Sequence, residues 1–146
     1  MNKDIYIEKI INKYKDLNLV VSKDNKITHI EFINNNGDNL YIDFDDEIII
    51  SFSKWHIHYL CEDEADLETA LEKVDNIINN KEAILLIYSN DKLLGSASSL
   101  NKDNYTKEEI VELLKEFFGS SYKQISEELT INLTFFNKKL NKIIII

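Results

Sequence analysis

The sequence lacks arginine and proline altogether, and it contains only three glycines and one cysteine in 146 residues. Without arginine, the chain has no guanidinium fork, the group that usually binds phosphate or carboxylate through two parallel hydrogen bonds. Three separate glycines exclude a glycine-rich phosphate loop, so nucleotide chemistry is not indicated. Cys61 has no partner for an internal disulfide, which suits a reducing cytosol.

Long apolar runs are also missing. The first nineteen residues scatter charges among apolar positions and have no small-residue cleavage site, unlike a secretory signal peptide. The terminal run of four isoleucines is far shorter than the roughly 20 residues of a membrane span. We therefore predict a cytoplasmic protein with no membrane partner. Its length favours a single domain over residues 1–146, large enough to need no stabilising metal or disulfide.

The net charge of −9 is concentrated in one part of the chain. Residues 30–75 carry thirteen acids and two lysines, whereas the rest of the chain carries thirteen acids and fifteen lysines. A concentrated negative surface repels nucleic acid and steers basic partners. An acidic cluster can also serve only as a solvated, solubilising face.

Periodic apolar residues predict the secondary structure. The predicted helices span residues 4–17, 64–79 and 106–118, the last with Thr106 and Glu109 as a capping box. The predicted strands span 26–34, 39–45, 47–60, 82–89, 92–99, 128–137 and 143–146. This order predicts an α+β fold in which about three helices pack on a mostly antiparallel sheet of about six to seven strands. Parallel pairs across the second and third helices remain open.

The segment 47–60 changes its apolar face midway. Ile48, Ile50 and Phe52 alternate on one face, whereas Trp55, Ile57 and Tyr59 fall on the other. A β-bulge near residues 53–54 would return both halves to the core side. His56 and His58 would then face solvent or a groove.

Two histidines at i and i+2 raise the possibility of a metal site. His56 and His58, with Asp43, Asp45 or His29 as a third ligand, would suit zinc or non-haem iron in an enzyme or a sensor. The commoner interpretation is an exposed histidine pair beside aromatic residues, with no cofactor. Cys61 next to these histidines could act as a nucleophile, although a lone cysteine at a strand end is usually a small apolar filler.

The run from residue 39 to residue 97 resembles small acidic immunity proteins of bacterial polymorphic and contact-dependent toxin systems. In those proteins a strand with a W-H-x-H-[YF] element precedes an acidic helix, which is followed by an aliphatic strand and a turn. Trp55, His56, His58 and Tyr59 form that element here. The resemblance implies a protein that is not an enzyme. Such a protein binds a cognate, typically basic, toxin domain and neutralises it by occluding its active site or substrate groove.

The predicted partner-binding residues combine the acidic runs with the aromatic and histidine residues between them. Acidic groups would speed association, and an aromatic centre would supply affinity. A structural or regulatory domain that binds an unrelated protein, or that forms a homodimer through the isoleucine-rich C-terminal hairpin, remains an alternative. The predicted contacts are Tyr41, Asp43, Asp45, Asp46, Glu47, Trp55, His56, His58, Tyr59, Glu62, Asp63, Glu64 and Asp66.

Overall fold

The computed structural model describes residues 3–100, 105–125 and 128–146, and it has an α+β fold with three helices and two antiparallel sheets. None of the described helices is long and apolar enough to cross a membrane. The elements are α1 (Lys3–Lys13), β1 (Leu19–Asp24), β2 (Ile27–Phe32), β3 (Leu40–Phe44), β4 (Glu47–Phe52), β5 (Trp55–Leu60), α2 (Glu64–Ile78), β6 (Glu82–Ser89), β7 (Lys92–Leu100), α3 (Lys107–Phe118), β8 (Leu129–Thr134) and β9 (Lys142–Ile145).

The prediction of one sheet with six to seven strands is wrong. The described residues form a five-stranded sheet in the order β1-β2-β3-β4-β5 and a four-stranded sheet in the order β7-β6-β8-β9. The seven strand pairings among these described residues are all antiparallel. The first helix ends at Lys13, not near residue 17, which leaves room for the missed strand β1. β1 is an edge strand exposed along most of its length, so it shows no apolar alternation.

The segment 47–60 is a hairpin, not one bulged strand. Ser53 and Lys54 form a two-residue turn in which Ser53 has a φ of 55°, and Phe52 pairs with Trp55 across it. Cross-strand partners in a hairpin, such as Phe52 and Trp55, lie on the same face of the sheet. Residues three apart in one straight strand lie on opposite faces. The turn therefore explains the change of apolar face that suggested a bulge. Ser53 is not one of the residue types that usually mark such turns.

Other local predictions are confirmed. Thr106 caps α3 by accepting a hydrogen bond from the Glu109 backbone N–H, and Gly119 ends the helix with a φ of 58°. Asn90 and Asp91 both have positive φ and turn β6 into β7, as a type I′ turn requires.

The structure requires glycine at position 37 because two chain segments approach closely there, and not because of a positive φ. A Cβ atom at Gly37 would lie 2.6 Å from the carbonyl oxygen of Phe136. The same oxygen accepts a 2.6 Å hydrogen bond from the Asn34 side chain, and the Lys138 backbone N–H donates to the Asn36 carbonyl at 2.7 Å. The β2–β3 loop is thereby tied to the segment after β8, which joins the two sheets at this end.

Two apolar cores lie on opposite sides of β6. Ile84 and Leu86 join a core that α1 and α2 form with the inner face of the five-stranded sheet. Leu85 and Ile87 point the other way, into a core shared with α3 and β8. The apolar run 82–89 thus behaves as the predicted central strand, covered on both faces.

A nearly buried ion pair connects α2 to the four-stranded sheet. The Lys73 ammonium lies 2.7 Å from the carboxylate of Glu82, which is only 5% exposed. The Asn76 amide donates to the other carboxylate oxygen at 3.1 Å, and the Lys73 ammonium also reaches the Ser98 hydroxyl at 3.2 Å. The two groups that contact the buried Glu82 carboxylate, the Lys73 ammonium and the Asn76 amide, therefore both belong to α2.

Removing Lys73 should leave the Glu82 charge buried and uncompensated. We expect Lys73→Ala to lower the free energy of unfolding by about 3 kcal/mol, measured by urea denaturation. Lys115→Ala is the matched control, because it breaks an exposed pair with Glu112 at 3.4 Å and should change stability little. Equal effects of the two substitutions would show that Glu82 does not depend on Lys73.

A second polar contact joins α1 to α2. The Tyr14 hydroxyl donates to the Asp75 carboxylate at 2.8 Å, and the Lys13 ammonium lies 3.1 Å from the same oxygen. Burial works against ionisation of Asp75, but the Tyr14 hydrogen bond and the Lys13 charge outweigh it and lower the Asp75 pKa. Burial and the hydrogen bond to Asp75 raise the pKa of Tyr14.

This contact should make stability depend on pH. A carboxyl group with a lowered folded-state pKa stabilises the fold above its unfolded pKa of about 4, and this contribution is lost as the pH falls through the folded value. We expect Tyr14→Phe to cost about 1 kcal/mol at pH 7 and less at pH 3, in urea denaturation at both pH values. Tyr41→Phe, on an exposed strand position, is the control. A cost of Tyr14→Phe that stays the same at pH 3 would contradict the coupling to Asp75.

Candidate partner-binding surface

The outer face of the five-stranded sheet is polar and open. Alternate residues of β2, β3 and β4 are buried on the inner face, against α1 and α2. Their neighbours along each strand point outward, because successive side chains of a strand alternate between the two faces. All three histidines of the chain, His29, His56 and His58, lie on this outer face. The outer face of the sheet therefore carries all the imidazole groups of the chain.

His29 forms one histidine–carboxylate pair on this face. Its Nδ1 atom lies 2.5 Å from an oxygen of Asp43, its cross-strand neighbour on β3. Ser22 is the cross-strand neighbour of His29 on β1. Asp43 and His29 are each about one-third exposed, so the pair is accessible to a partner.

His58 forms a second pair at the other side of the sheet. Its Nδ1 atom lies 2.7 Å from an oxygen of Glu47, on the neighbouring strand β4. The ring of His56 lies edge-on to that of His58, with 5.2 Å between the ring centroids. Because Nδ1 of His58 faces Glu47, its Nε2 atom is directed away from that carboxylate.

A shallow depression of about 470 Å³ lies over the β1–β4 part of this face. It contains both polar and apolar side chains, so its surface suits a protein partner better than a purely apolar ligand. The residues around it are Val20, Ser22, His29, Ile30, Glu31, Tyr41, Asp43 and Ser51.

Two acidic segments meet at one end of the five-stranded sheet. Asp45 and Asp46 lie in the turn between β3 and β4, and Glu62 lies in the connection from β5 to α2. β4 and β5 are antiparallel, and Glu47 pairs with Leu60, so the start of β4 lies beside the end of β5. We call this region the acidic end, and it comprises Asp43, Asp45, Asp46, Glu47, Glu62, Asp63, Glu64 and Asp66.

Part of the acidic end also stabilises α2. Asp63 is the N-cap residue, and its carboxylate accepts a 2.9 Å hydrogen bond from the Asp66 backbone N–H. The Asp66 carboxylate in turn accepts from the Glu62 backbone N–H at 3.3 Å. Acidic side chains at a helix N-terminus interact favourably with its dipole. Asp63 and Asp66 therefore have a structural role that the sequence interpretation missed, although their spacing is that of a capping box.

The aromatic residues of the W-H-x-H-Y element do not share the exposed face. Trp55 is only 6% exposed and packs in the core beneath the strand. Tyr59 is partly buried against the same core, and burial, followed by the charges of Glu82 and Glu72, raises its pKa. Tyr41, by contrast, is 42% exposed on the outer face.

The structure also bears on the metal and nucleophile interpretations. Within residues 3–100, 105–125 and 128–146, no three His, Cys, Asp or Glu side chains are grouped as ligands of one ion. His29 and His58 instead contact a carboxylate each. Burial raises the pKa of the Cys61 thiol, which disfavours the thiolate that a nucleophile requires.

The sequence interpretation omitted two outer-face residues from the predicted contacts. One is Glu31, whose carboxylate accepts a 3.0 Å hydrogen bond from the Asn39 side chain. The other is Leu60, which is 54% exposed. Thr28, Ile30 and Phe32 alternate along the buried face of β2. This alternation indicates that Glu31, between two of them, points to the outer face.

The capping role of Asp63 leads to a prediction. We expect Asp63→Ala to lower the free energy of unfolding by about 1 kcal/mol, because the Asp66 N–H loses its acceptor. Glu62→Ala removes the same charge from an exposed neighbour without removing the cap, and it should have little effect. Thermal denaturation of both variants measures this difference, and equal melting temperatures would contradict the cap.

In comparisons with known proteins, no family model, no curated protein and no solved structure matches the chain. Functional inference therefore rests on the residues of this chain, their placement and their charges.

Proposed function

We propose that the chain is a protein-binding module that neutralises a basic bacterial toxin domain, as the immunity proteins it resembles do. The toxin domain would bind the acidic end and the adjoining outer face of the five-stranded sheet. The observation that carries this proposal is the meeting of two acidic segments, separated by fourteen residues in sequence, beside an open sheet face.

The charge of the acidic end supports a basic partner. Residues 30–75 contain only two lysines, and both have contacts elsewhere: Lys73 with Glu82, and Lys54 with the Tyr88 hydroxyl at 3.1 Å. Lys54 lies at the opposite end of β5 from the acidic end. The negative field of the acidic end is thus not neutralised by these two lysines. Such a field raises the association rate with a positively charged surface.

Apolar and aromatic groups on the outer face supply candidate anchors. Leu60 lies beside the acidic end, whereas Tyr41 and Val20 lie toward the other end of the strands. Tyr41, Val20 and Leu60 are all between 42% and 54% exposed on the outer face. Binding energy in protein interfaces concentrates in a few such side chains, and aromatic residues are prominent among them. The histidine–carboxylate pairs lie between these anchors and hold their own polar atoms in fixed directions. The surface therefore combines charge for steering with anchors for affinity.

Neutralisation would follow from occlusion. A basic toxin domain that acts on nucleic acid presents a positive groove to a polyanion, and the acidic end offers that groove carboxylates in place of phosphates. A bound module of 17.1 kDa would also block the groove sterically. On this proposal the chain needs no catalytic group.

The first experiment identifies the partner and then tests the surface. The tagged chain is used to capture partners from its producing strain at low and high salt, with mass spectrometry of the retained proteins. A retained protein with a basic toxin domain is then expressed with and without the chain, and growth of the cells reports protection.

Reversing charges at the acidic end should slow association. We expect Asp45→Lys, Asp46→Lys and Glu62→Lys together to reduce the association rate at least about tenfold at low salt and to weaken its salt dependence. These positions are exposed, and the α2 cap at Asp63 stays intact. Surface plasmon resonance at several salt concentrations measures the effect.

A matched control reverses three charges far from the acidic end. Glu108→Lys, Glu112→Lys and Glu116→Lys change the net charge equally on the exposed side of α3. Equal loss of association in both triple variants would assign the effect to net charge alone. Full association and full protection by the acidic-end variant would exclude this surface as the binding site.

A further inference from the structure

The W-H-x-H-Y element lies on an exposed sheet edge. β5 is an outermost strand of the five-stranded sheet, and its register with β4 is regular over all six residues. Sheet edges are usually protected from pairing by charges, bulges or short length. Among the other edges, β1 ends in Lys23 and Asp24, and β9 has only four residues and begins with Lys142. β5 contains no lysine, no acidic residue and no bulge.

The two imidazoles of β5 lie close enough to bind one ion. The ring centroids of His56 and His58 are 5.2 Å apart on the outward face. Two nitrogen ligands of one tetrahedral zinc ion are roughly 3.3 Å apart, given zinc–nitrogen bonds of about 2.0 Å. Glu47 contacts Nδ1 of His58 at 2.7 Å, an arrangement that leaves Nε2 for a metal. A carboxylate on the second nitrogen is the usual companion of a metal-bound histidine.

The described part of one chain supplies only these two ligands, since it groups no third His, Cys, Asp or Glu with them. A second copy of the chain can supply the other two. Antiparallel pairing of two β5 strands about Ile57 places His56 of each copy opposite His58 of the other. Opposite residues in such a ladder have Cβ atoms about 5 Å apart, and residues two apart in a strand are about 7 Å apart. Four histidines would thus surround one point above the outer face.

The same register satisfies the backbone and the inner face. Phe52 and Trp55 close the β4–β5 turn, so the alternation of an antiparallel ladder directs the N–H and C=O groups of His56 and His58 toward the free edge. On the inner face, the partly buried Ile57 would lie opposite Ile57 of the second copy. This pair is apolar, which stabilises cross-strand contacts.

We propose that His56 and His58 form half of a zinc site that is completed by the same two residues of a second copy, through pairing of the two β5 edges. Each copy has a net charge of −9, so like-charge repulsion opposes association until a divalent cation binds between them. The chain is therefore a monomer without zinc and a dimer with one zinc ion per two chains. This site is independent of whether the protein neutralises a toxin.

The test uses the full chain after treatment with a chelator. Zinc is added in steps, binding is followed by isothermal titration calorimetry, and mass is followed by light scattering. The expected result is a change from 17.1 kDa to twice that mass, complete at one zinc per two chains. Cobalt in place of zinc should give the intense visible absorption of a tetrahedral site.

Variants locate the ligands. His56→Ala and His58→Ala, both at exposed positions, should each abolish the zinc-dependent dimer, whereas His29→Ala should leave it intact. Glu47→Ala should weaken zinc binding roughly ten- to hundredfold through loss of the contact to His58. Binding of one zinc per chain without a dimer, a dimer that forms without zinc, or no zinc binding at micromolar concentration would each overturn the proposal.

Discussion

Burial of only one face of the five-stranded sheet is the constraint on which the rest of the structure depends. Ile30, Ile42 and Ile50 lie in one row across β2, β3 and β4 and are at most 1% exposed. Each such side chain contributes about 2 kcal/mol by leaving water. A register slip of one residue would expose this row and bury Asp43 and Glu47 in its place. The apolar face thus determines which side chains remain outside, and those are the histidines and carboxylates of the candidate surface.

Much of the local structure was predictable because its signals are local. α2 and α3, the Thr106 cap and the turn at residues 90–91 each depend on a few adjacent residues. The division into two sheets was not predictable in this way, because it depends on which distant strands pair. β1 has no apolar alternation, and the turn at Ser53 has a residue type that rarely adopts positive φ. In both places tertiary packing determines a conformation that the local sequence does not favour.

The candidate surface was predictable in composition but not in arrangement. The sequence placed acidic residues before and after the W-H-x-H-Y element, and the β4–β5 hairpin brings those two runs to the same end of the sheet. Trp55 was expected at the interface because aromatic residues often anchor partners. The two-residue turn shifts the phase of β5 and places Trp55 in the core, whereas Tyr41 and Leu60 are exposed. Asp63 and Asp66 belong to the acidic end and also stabilise the N-terminus of α2. The amino-acid composition alone does not distinguish a capping carboxylate from a free surface carboxylate.

The two proposals use different parts of one histidine-bearing strand. A toxin domain would approach the outer face and the acidic end, where the contact of Glu47 with Nδ1 of His58 fixes the direction of the imidazole. A second copy would approach the edge of β5 and use Nε2, the nitrogen that this contact leaves free. The same contact between Glu47 and His58 would therefore orient the imidazole for either partner. Because both surfaces include His56 and His58, a zinc-bound dimer would withhold these two residues from a toxin while leaving Tyr41 and the β3–β4 turn exposed.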